Sequence, residues 1–176
     1  MYIILSQKID TLSDYSGDEI FKVYHYPARY KNQINKGDIF VYYQGNRYVK
    51  SQRYYFGTGV IGAIHQTDDE NYYAELVDVI RFEKKIPIYL PQGGYIEQLG
   101  YETVRKSVNP PWQTSIRPLS VAAYEYILCD SGVKSVVEIY NEKLKNAFYD
   151  YYTCNDKKAV LRISEYAKQL ANIYHL

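Results

Sequence analysis

Acidic residues and a lysine in one stretch of the chain could support metal-dependent hydrolysis. An acid at Asp68, Asp69 or Asp78 is followed by Glu83 and, two positions later, by Lys85. In such a D…E-x-K arrangement the carboxylates hold a divalent metal, and the lysine helps to activate water for attack on a phosphodiester. Glu-x-Lys also arises by chance in most charged chains of this length. We therefore favour the simpler interpretation that these residues form the solvated end of a strand.

Histidine and cysteine, the other residue types that often carry catalysis or bind metals, are sparse. The histidines His25, His65 and His175 lie too far apart in the sequence for a local metal motif. Cys129 and Cys154 are the only cysteines, and they indicate neither a disulfide framework nor a zinc site. We predict a protein that is not an enzyme by itself and that needs no metal or cofactor.

Length and composition are those of one soluble domain, with room for an appendage. The chain has 176 residues, of which 47% are hydrophobic and 23% charged. Its first residues, MYIILSQKIDTL, have no basic segment, and their apolar run is too short for a signal peptide or a membrane span. With no disulfide framework, the sequence favours a cytoplasmic protein that has no membrane partner.

Basic and aromatic residues are interleaved in the first third of the chain. Residues 22–53 contain seven Lys or Arg and a single acid, whereas residues 65–102 contain eight acids and three bases. The chain also has 23 tyrosines against five phenylalanines and one tryptophan. A basic segment rich in aromatic residues is typical of a nucleic-acid surface. A solvated edge, together with the codon bias of an AT-rich genome, is the alternative explanation.

The stretch RYYFGTGVIGAI indicates a β-strand, yet it carries three glycines. Glycine weakens a strand because it costs backbone entropy and packs nothing, so its presence needs a reason. Alternation leaves one face nearly bare at Gly57 and Gly59 and puts Phe56, Thr58 and Val60 on the other. Either a flat ligand or the closing strand of a barrel could lie against the bare face.

Further strands flank this one in the sequence. The segment KGDIFVYYQGN predicts a strand that is apolar on both faces, as in a closed or sandwiched sheet. The segment YYAELVDVIRFEKKIPI predicts another, in which Ala74, Leu76, Ile80 and Phe82 alternate inward. Three consecutive strands joined by short turns form an antiparallel meander, which is the body of a small barrel.

Helices dominate the rest of the chain. Ser120 can cap a helix over VAAYEYILCD, and Gly132 can end it. Two amphipathic helices then complete a C-terminal hairpin, the second capped by Asn155 or Asp156. We predict an α+β fold: a small barrel of five to six mostly antiparallel strands with flanking helices, over residues 1–132, and a helical extension over residues 133–176.

Four short motifs within residues 20–130 together resemble the PUA-like superfamily. They are YHYP, GDIFVYY, YFGTG, and SIRPLS ahead of a helix containing YEYIL. The resemblance is closest to the EVE- and YTH-like branch, which is found at the N-terminus of HNH-type and other modification-dependent restriction endonucleases. The C-terminal residues 133–176 match nothing in that family, and the chain has no HNH nuclease motif.

The resemblance implies a pseudobarrel with a pocket that takes one nucleobase. In the family's DNA-reading members a modified base is flipped from the duplex into an aromatic cage. The cage residues that we predict on this basis are Tyr24, His25, Tyr26, Tyr43, Tyr54, Gly57, Gly59 and Trp112. The predicted contacts to the nucleic-acid backbone are Arg29, Lys31, Arg47, Lys50, Arg53 and Arg117, although Arg117 could instead brace a loop.

The expected function is therefore recognition of a modified base in DNA by base flipping, as the specificity part of a restriction or antiviral defence system. The partners expected are modified double-stranded DNA and a nuclease effector, with homodimerisation through the C-terminal helices also open. Three alternatives stand beside this one. The chain could read modified RNA, act as a metal-dependent nuclease through Asp69, Glu83 and Lys85, or be a protein adaptor without nucleic acid.

Overall fold

The structure is a computed structural model, and it describes residues 1–7, 19–45, 49–68, 70–101 and 114–174. Four residues that the sequence singled out lie outside these ranges. They are Arg47, Asp69, Trp112 and His175.

Six strands form one mixed sheet that curls into a half-barrel. The strands are β1 (Tyr2–Ser6), β2 (Val23–Pro27), β3 (Ile39–Gln44), β4 (Tyr54–Gln66), β5 (Asn71–Pro87) and β6 (Ile116–Pro118), in the spatial order β2-β5-β4-β3-β1-β6. Strands β1 and β3 are parallel, and the other neighbours are antiparallel. The α+β class and the meander of β3, β4 and β5 are thus confirmed.

Two of the strands were not predicted. Strand β2 contains the YHYP motif and β6 lies within SIRPLS, and no strand was predicted for either. Both are short edge strands, and their sequences carry little of the alternation that marks a longer strand. Short 3-10 turns lie at Ala28–Tyr30 and Ile96–Gln98.

The sheet has a hydrophobic cluster on each side. All six strands contribute to the inner cluster, which consists of Ile3, Leu5, Tyr24, Tyr26, Tyr30, Ile34, Phe40, Tyr42, Tyr54, Phe56, Ile61, Ala74, Leu76 and Ile116. The outer cluster joins the opposite side of the sheet to the helices. Strand β3 supplies both, with Phe40 and Tyr42 inside and Ile39, Val41 and Tyr43 outside. This confirms that both of its faces are apolar and buried.

The sheet curls toward the inner cluster. Strands β2 and β6 are its two edges, yet the Tyr24 hydroxyl donates to the backbone carbonyl of Ser115, just before β6, over 3.3 Å. The Ser115 amide in turn donates to the Tyr30 hydroxyl over 3.2 Å. Side chains rather than a strand ladder therefore join the edges, and the inner cluster fills the concave side.

Three helices cover the convex side: α1 (Val121–Ser131), α2 (Val136–Thr153) and α3 (Ala159–Tyr174). The Ser120 hydroxyl accepts from the Ala123 amide, and Gly132 ends α1 with a left-handed φ of 72°, so both predicted ends are confirmed. Residues of α2 and α3 pack in the outer cluster together with strand residues. The predicted helical extension therefore shares a hydrophobic core with the sheet.

Strand β5 changes face part-way along, which the sequence did not predict. Ala74 and Leu76 belong to the inner cluster, whereas Ile80 packs against the outer cluster and Phe82 belongs to it. Between them Asp78 has a left-handed φ of 49°. A bulge inserts one residue into the pairing, and a shift of one residue moves the following side chains to the other face. The prediction that all four share one face was therefore wrong.

Strand β4 shows the same behaviour. Phe56 lies in the inner cluster and Val60 in the outer cluster, although strict alternation places them on one face. The register of β4 against β5 shifts at three places along the strand. Glycine tolerates such distortions at little cost. The glycines thus coincide with irregular pairing along this strand.

Candidate nucleic-acid interface

Two cations from β5 lie over aromatic rings on the concave side. The guanidinium carbon of Arg81 is 4.4 Å from the centre of the Phe21 ring, which packs against the inner cluster. The Nζ atom of Lys85 is 4.4 Å from the centre of the Tyr54 ring, which belongs to that cluster. At such distances a cation is attracted by the π-face of a ring while its charge remains accessible.

A third cation lies over the ring of an inner-cluster residue near β2. The guanidinium carbon of Arg29 is 4.9 Å from the centre of the Tyr30 ring, and the neighbouring Lys31 is exposed. Burial works to raise the pKa of Tyr30, but the hydrogen bonds from Ser115 and the charge of Arg29 outweigh it and lower that pKa. The predicted cations Arg29 and Lys31 therefore reach the surface next to the concave side.

The face of β4 that is bare at Gly57 and Gly59, called the glycine strip below, is covered by the protein's own aromatic rings. A Cβ atom at position 57 would lie 2.6 Å from the Phe21 ring, and one at position 59 would lie 2.8 Å from the Phe40 ring. These distances are too short for a real contact, so Gly57 and Gly59 are required by the rings that lie on them. The strip is on the concave side, as expected for a base pocket, but it is occupied.

Three predicted cage residues, Tyr24, His25 and Tyr26, are divided between the two faces of β2. Tyr24 and Tyr26 point into the inner cluster, and their ring centres are 6.4 Å apart with the planes nearly parallel. His25 points the other way and lies 5.7 Å from the ring centre of Tyr73, on whose ring His65 also stacks. The structure therefore does not bring the imidazole of His25 to the same pocket as the two tyrosines.

The hydroxyl of Tyr26 is buried and has no hydrogen-bond partner within the part of the chain that the structure describes. Burial and the nearby Tyr72 raise the pKa of Tyr26 to about 12. The two rings stack with their centres 5.8 Å apart, and Tyr72 is only half-buried. An aromatic stack therefore leads from the surface to a polar group that could recognise the edge of a ligand.

Tyr43 and Tyr54, also predicted as cage residues, lie on opposite sides of the sheet. Tyr54 belongs to the inner cluster and Tyr43 to the outer one. Burial raises the pKa of Tyr43 to about 12, against the charges of Arg53 and Arg117, which lower it. Tyr43 therefore cannot be part of a pocket on the concave side.

Arg117 is an internal brace rather than a surface cation. It is 1% exposed, and its Nε and Nη2 atoms each donate to a Glu97 carboxylate oxygen over 2.7 Å. Tyr55, which is fully buried, donates to the same carboxylate over 2.9 Å. Burial alone would lower the pKa of Arg117, but Glu97 outweighs this and raises it. Of the two roles predicted for Arg117, its position supports only the bracing of a loop.

Some predicted contacts lie where the structure gives no side chain. Trp112 and Arg47 are outside the described residues, and of Lys50 only the backbone is described. Arg53 is half-buried next to β4. The predictions for Trp112, Arg47 and Lys50 stay predictions.

Among the described residues, the acids of the D…E-x-K pattern lie apart from one another. Glu83 is exposed, and Asp78 accepts a hydrogen bond from the Tyr140 hydroxyl of α2 over 2.5 Å. Asp68 accepts from the Glu70 amide in the β4–β5 turn. Among the described residues no three His, Cys, Asp or Glu side chains are grouped as metal ligands, but Asp69 is not among those residues.

A second concave feature lies on the helical side of the sheet. It is a cleft of about 600 Å³ between α1, the loop that follows it, the start of β1 and the end of α3. Its charged lining includes Lys134 and Glu138. Lys134 is paired with Glu142, and Glu138 caps α2. Because these charges have partners already, the cleft offers less to a charged ligand than the concave side does.

Sequence reasoning missed Phe21 and Arg81 on the concave side, and it named Lys85 only for the nuclease alternative. Arg81 and Lys85 belong to a segment with a net acidic charge, so a count of charges over the segment hid them. The spacing R-x-E-x-K in a strand does predict that both cations share one face. No comparable signal identifies Phe21, because its position depends on a backbone conformation that its residue type disfavours.

Comparison with known proteins adds no relative. The chain matches no protein-family model, and a search of curated proteins finds no match either. No helix within the described ranges is long and apolar enough to cross a membrane.

Proposed function

We propose that this chain binds DNA that carries a modified base, and that it takes the base from the duplex into the concave side of the sheet. The observation that carries the proposal is the placement of Arg29, Arg81 and Lys85, each over an aromatic ring on that side. Cations at the rim suit phosphates, and rings beneath them suit a base. The PUA-like classification, in its EVE- and YTH-like branch, belongs to the same proposal, with which a curled sheet and flanking helices are compatible.

The energetics are consistent with base flipping. Extrusion of a base costs a few kcal/mol, and stacking on an aromatic side chain returns about 1–3 kcal/mol per base. Aromatic rings of the inner cluster, among them Tyr42 and Phe56, could supply this energy. Contacts between the rim cations and phosphates add a term that is independent of sequence and sensitive to salt.

The proposed partners follow from this role. The chain would act as the specificity part of a restriction or defence system, without catalysis of its own, and a separate nuclease would cut. The end of the α2–α3 hairpin carries exposed apolar side chains, among them Phe148, Tyr149, Tyr152 and Leu161. This surface would contact the nuclease or a second copy of the chain.

The test is binding of fluorescent duplexes at two salt concentrations. The duplexes are unmodified or carry 5-methylcytosine, 5-hydroxymethylcytosine or N6-methyladenine, and the variants are Arg81→Gln and Lys85→Gln. We expect tighter binding of one modified duplex, and a salt dependence that each substitution reduces by about one counterion. Lys143→Gln is the matched control, because Lys143 also lies over a ring, that of Tyr140, but on the helical side.

Other outcomes would redirect the proposal. Trp112→Ala, included alongside, tests whether that side chain belongs to the cage. Salt-sensitive binding without any preference would leave only a basic surface and would favour modified RNA as the ligand. Binding that ignores salt would favour a protein adaptor. Magnesium-dependent cleavage that is lost in Glu83→Ala would establish the nuclease instead.

A further inference from the structure

Phe21 has an unusual backbone conformation. Its φ is 71°, in the left-handed region that glycine adopts freely and that a bulky side chain rarely enters. It lies in a turn just before β2, in which the amides of Lys22 and Val23 both donate to the Glu19 carbonyl. A strained residue persists only where its surroundings hold it, and such residues cluster at ligand sites and switches. The contacts of its side chain show what holds Phe21 in this conformation.

The ring of Phe21 lies in a slot shaped for a flat group. One wall is the backbone of Gly57, where a Cβ atom would lie 2.6 Å from the ring. The guanidinium of Arg81 lies over the ring face, 4.4 Å from its centre. The rings of Tyr42 and Phe56 meet the Phe21 ring edge-on, with centres 5.2 Å and 5.7 Å away. A guanidinium on one face and no side chain at the glycine favour a planar aromatic ligand.

We infer that this slot is the site of the extruded base and that the Phe21 ring is its internal occupant, displaced when the base enters. The inference rests on the proposed function, because it names where the flipped base goes. The ring of Phe21 keeps the inner cluster packed while no ligand is present. When a base replaces it, the base stacks under Arg81, and Phe21 is free to leave its left-handed conformation. Relief of that strain offsets part of the packing that the displaced ring loses.

Removal of the ring tests the inference directly. Phe21→Gly deletes the ring and at the same time suits the left-handed φ, so this variant keeps its fold better than an alanine variant would. The probes are the free nucleotides dAMP and dCMP and their N6-methyl and 5-methyl forms, titrated by calorimetry. Because wild type must first expel its own ring, we expect the matching nucleotide to bind Phe21→Gly about tenfold more tightly. Phe21→Asn, which also tolerates this conformation, replaces it if Phe21→Gly melts below the assay temperature.

A second substitution locates the site. Adding Gly57→Ala to Phe21→Gly fills the slot with a methyl group, and we expect the gain in affinity to disappear. Gly62→Ala in the same background is the matched control. A Cβ atom there would also be crowded, 3.2 Å from the Glu75 carbonyl oxygen, but its nearest neighbours belong to Glu75 and Val77 and not to Phe21. The gain should survive in this control, and melting curves verify that each variant is folded.

The outcomes separate the inference from the proposed function. If wild type prefers a modified duplex but Phe21→Gly gains no affinity for nucleotides, the base binds elsewhere and the inference is overturned. If Phe21→Gly loses duplex binding, Phe21 is a wall of the pocket, which also overturns it. If wild type binds no duplex, the proposed function fails. If Phe21→Gly then still gains affinity for nucleotides and Gly57→Ala abolishes that gain, the slot is a nucleotide site. If there is no such gain either, the inference is overturned together with the proposed function.

Discussion

At the scale of single residues, Arg117 and Glu97 form a buried ion pair. Both side chains are almost fully buried, and two parallel hydrogen bonds join them. Tyr55 also donates to Glu97, and its pKa is raised well above the usual value, first by burial and then by the charge of Glu97. The pair fixes β6 to the 3-10 turn that contains Glu97 and to β4.

We predict that Arg117→Met lowers the free energy of unfolding by about 3–5 kcal/mol, because it leaves the Glu97 carboxylate buried without a counter-charge. Urea unfolding at neutral pH measures the loss. The double variant Arg117→Met/Glu97→Gln should recover part of it, since the buried charge is gone and the amide oxygen still accepts from Tyr55.

Lys84→Met is the control for this prediction. Lys84 and Asp130 form an exposed ion pair over 3.2 Å, and such pairs contribute at most about 1 kcal/mol. Equal losses in Arg117→Met and Lys84→Met would contradict the assignment of Arg117 as a brace. So would a double variant that is no more stable than the single one.

At the scale of elements, the sequence predicted what depends on local chemistry. A serine cap and a glycine stop gave the bounds of α1, because both satisfy backbone groups within a few residues. The two apolar faces of β3 were also predictable, because they depend only on the residue types within that strand. The bulge at Asp78 was not, because it depends on how β5 pairs with β4. The placement of single side chains was unreadable for a similar reason: His25 and Tyr43 do not face the concave side, and Arg117, predicted as a backbone contact or a loop brace, is buried.

The start of α2 offers a test of local chemistry in isolation. The Ser135 hydroxyl accepts from the Glu138 amide over 3.1 Å, and the Glu138 carboxylate accepts from the Ser135 amide over 2.7 Å. This capping box satisfies donors that the helix itself cannot. We predict that Ser135→Ala lowers the free energy of unfolding by about 1 kcal/mol in urea titrations.

Replacement of a serine that caps no helix provides the control for this prediction. Ser164 is exposed within α3, so Ser164→Ala should leave stability unchanged or slightly raised. The hydrogen bond from the Ser135 amide lowers the pKa of Glu138 below its ordinary 4.5. Stability from the capping box is therefore present above pH 4.5 and is lost as the pH falls below that value. A stability difference between wild type and Glu138→Gln that is the same at pH 7 and at pH 3 would contradict this account.

At the scale of the whole molecule, the helices pack against one side of the sheet only. The outer cluster ties α1, α2 and α3 to the convex side, and no residue of these helices belongs to the inner cluster. The concave side is instead filled by the strands and by short segments between them. On our proposal that a base displaces the Phe21 ring, the packing of the helices would remain intact.

The abundance of tyrosine also has a consequence for the whole molecule. Many of the tyrosines lie in the two clusters, so the core itself carries hydroxyl groups that ionise at alkaline pH. Burial is the largest cause that raises the pKa of Tyr26, Tyr43 and Tyr124 from 10.0 to about 12. Each hydroxyl therefore keeps its proton more tightly in the folded chain than in the unfolded one.

We predict alkaline unfolding between pH 10 and pH 12. Because the folded-state pKa is the higher one, the stability that these groups contribute is fully present below pH 10 and is lost as the pH rises toward 12. Ultraviolet absorbance of tyrosinate and far-ultraviolet circular dichroism, recorded on the same samples, measure the effect. The absorbance of the buried groups should rise together with the loss of secondary structure.

Two substitutions separate ionisation from packing. Tyr26→Phe removes a buried hydroxyl that has no partner among the described residues, so stability at neutral pH should be kept and its alkaline loss should become shallower. Tyr55→Phe removes the donor to Glu97, so it should destabilise the chain already at neutral pH. If wild type unfolds well below pH 10, or if Tyr26→Phe leaves the alkaline curve unchanged, ionisation of buried tyrosines is not what limits the fold.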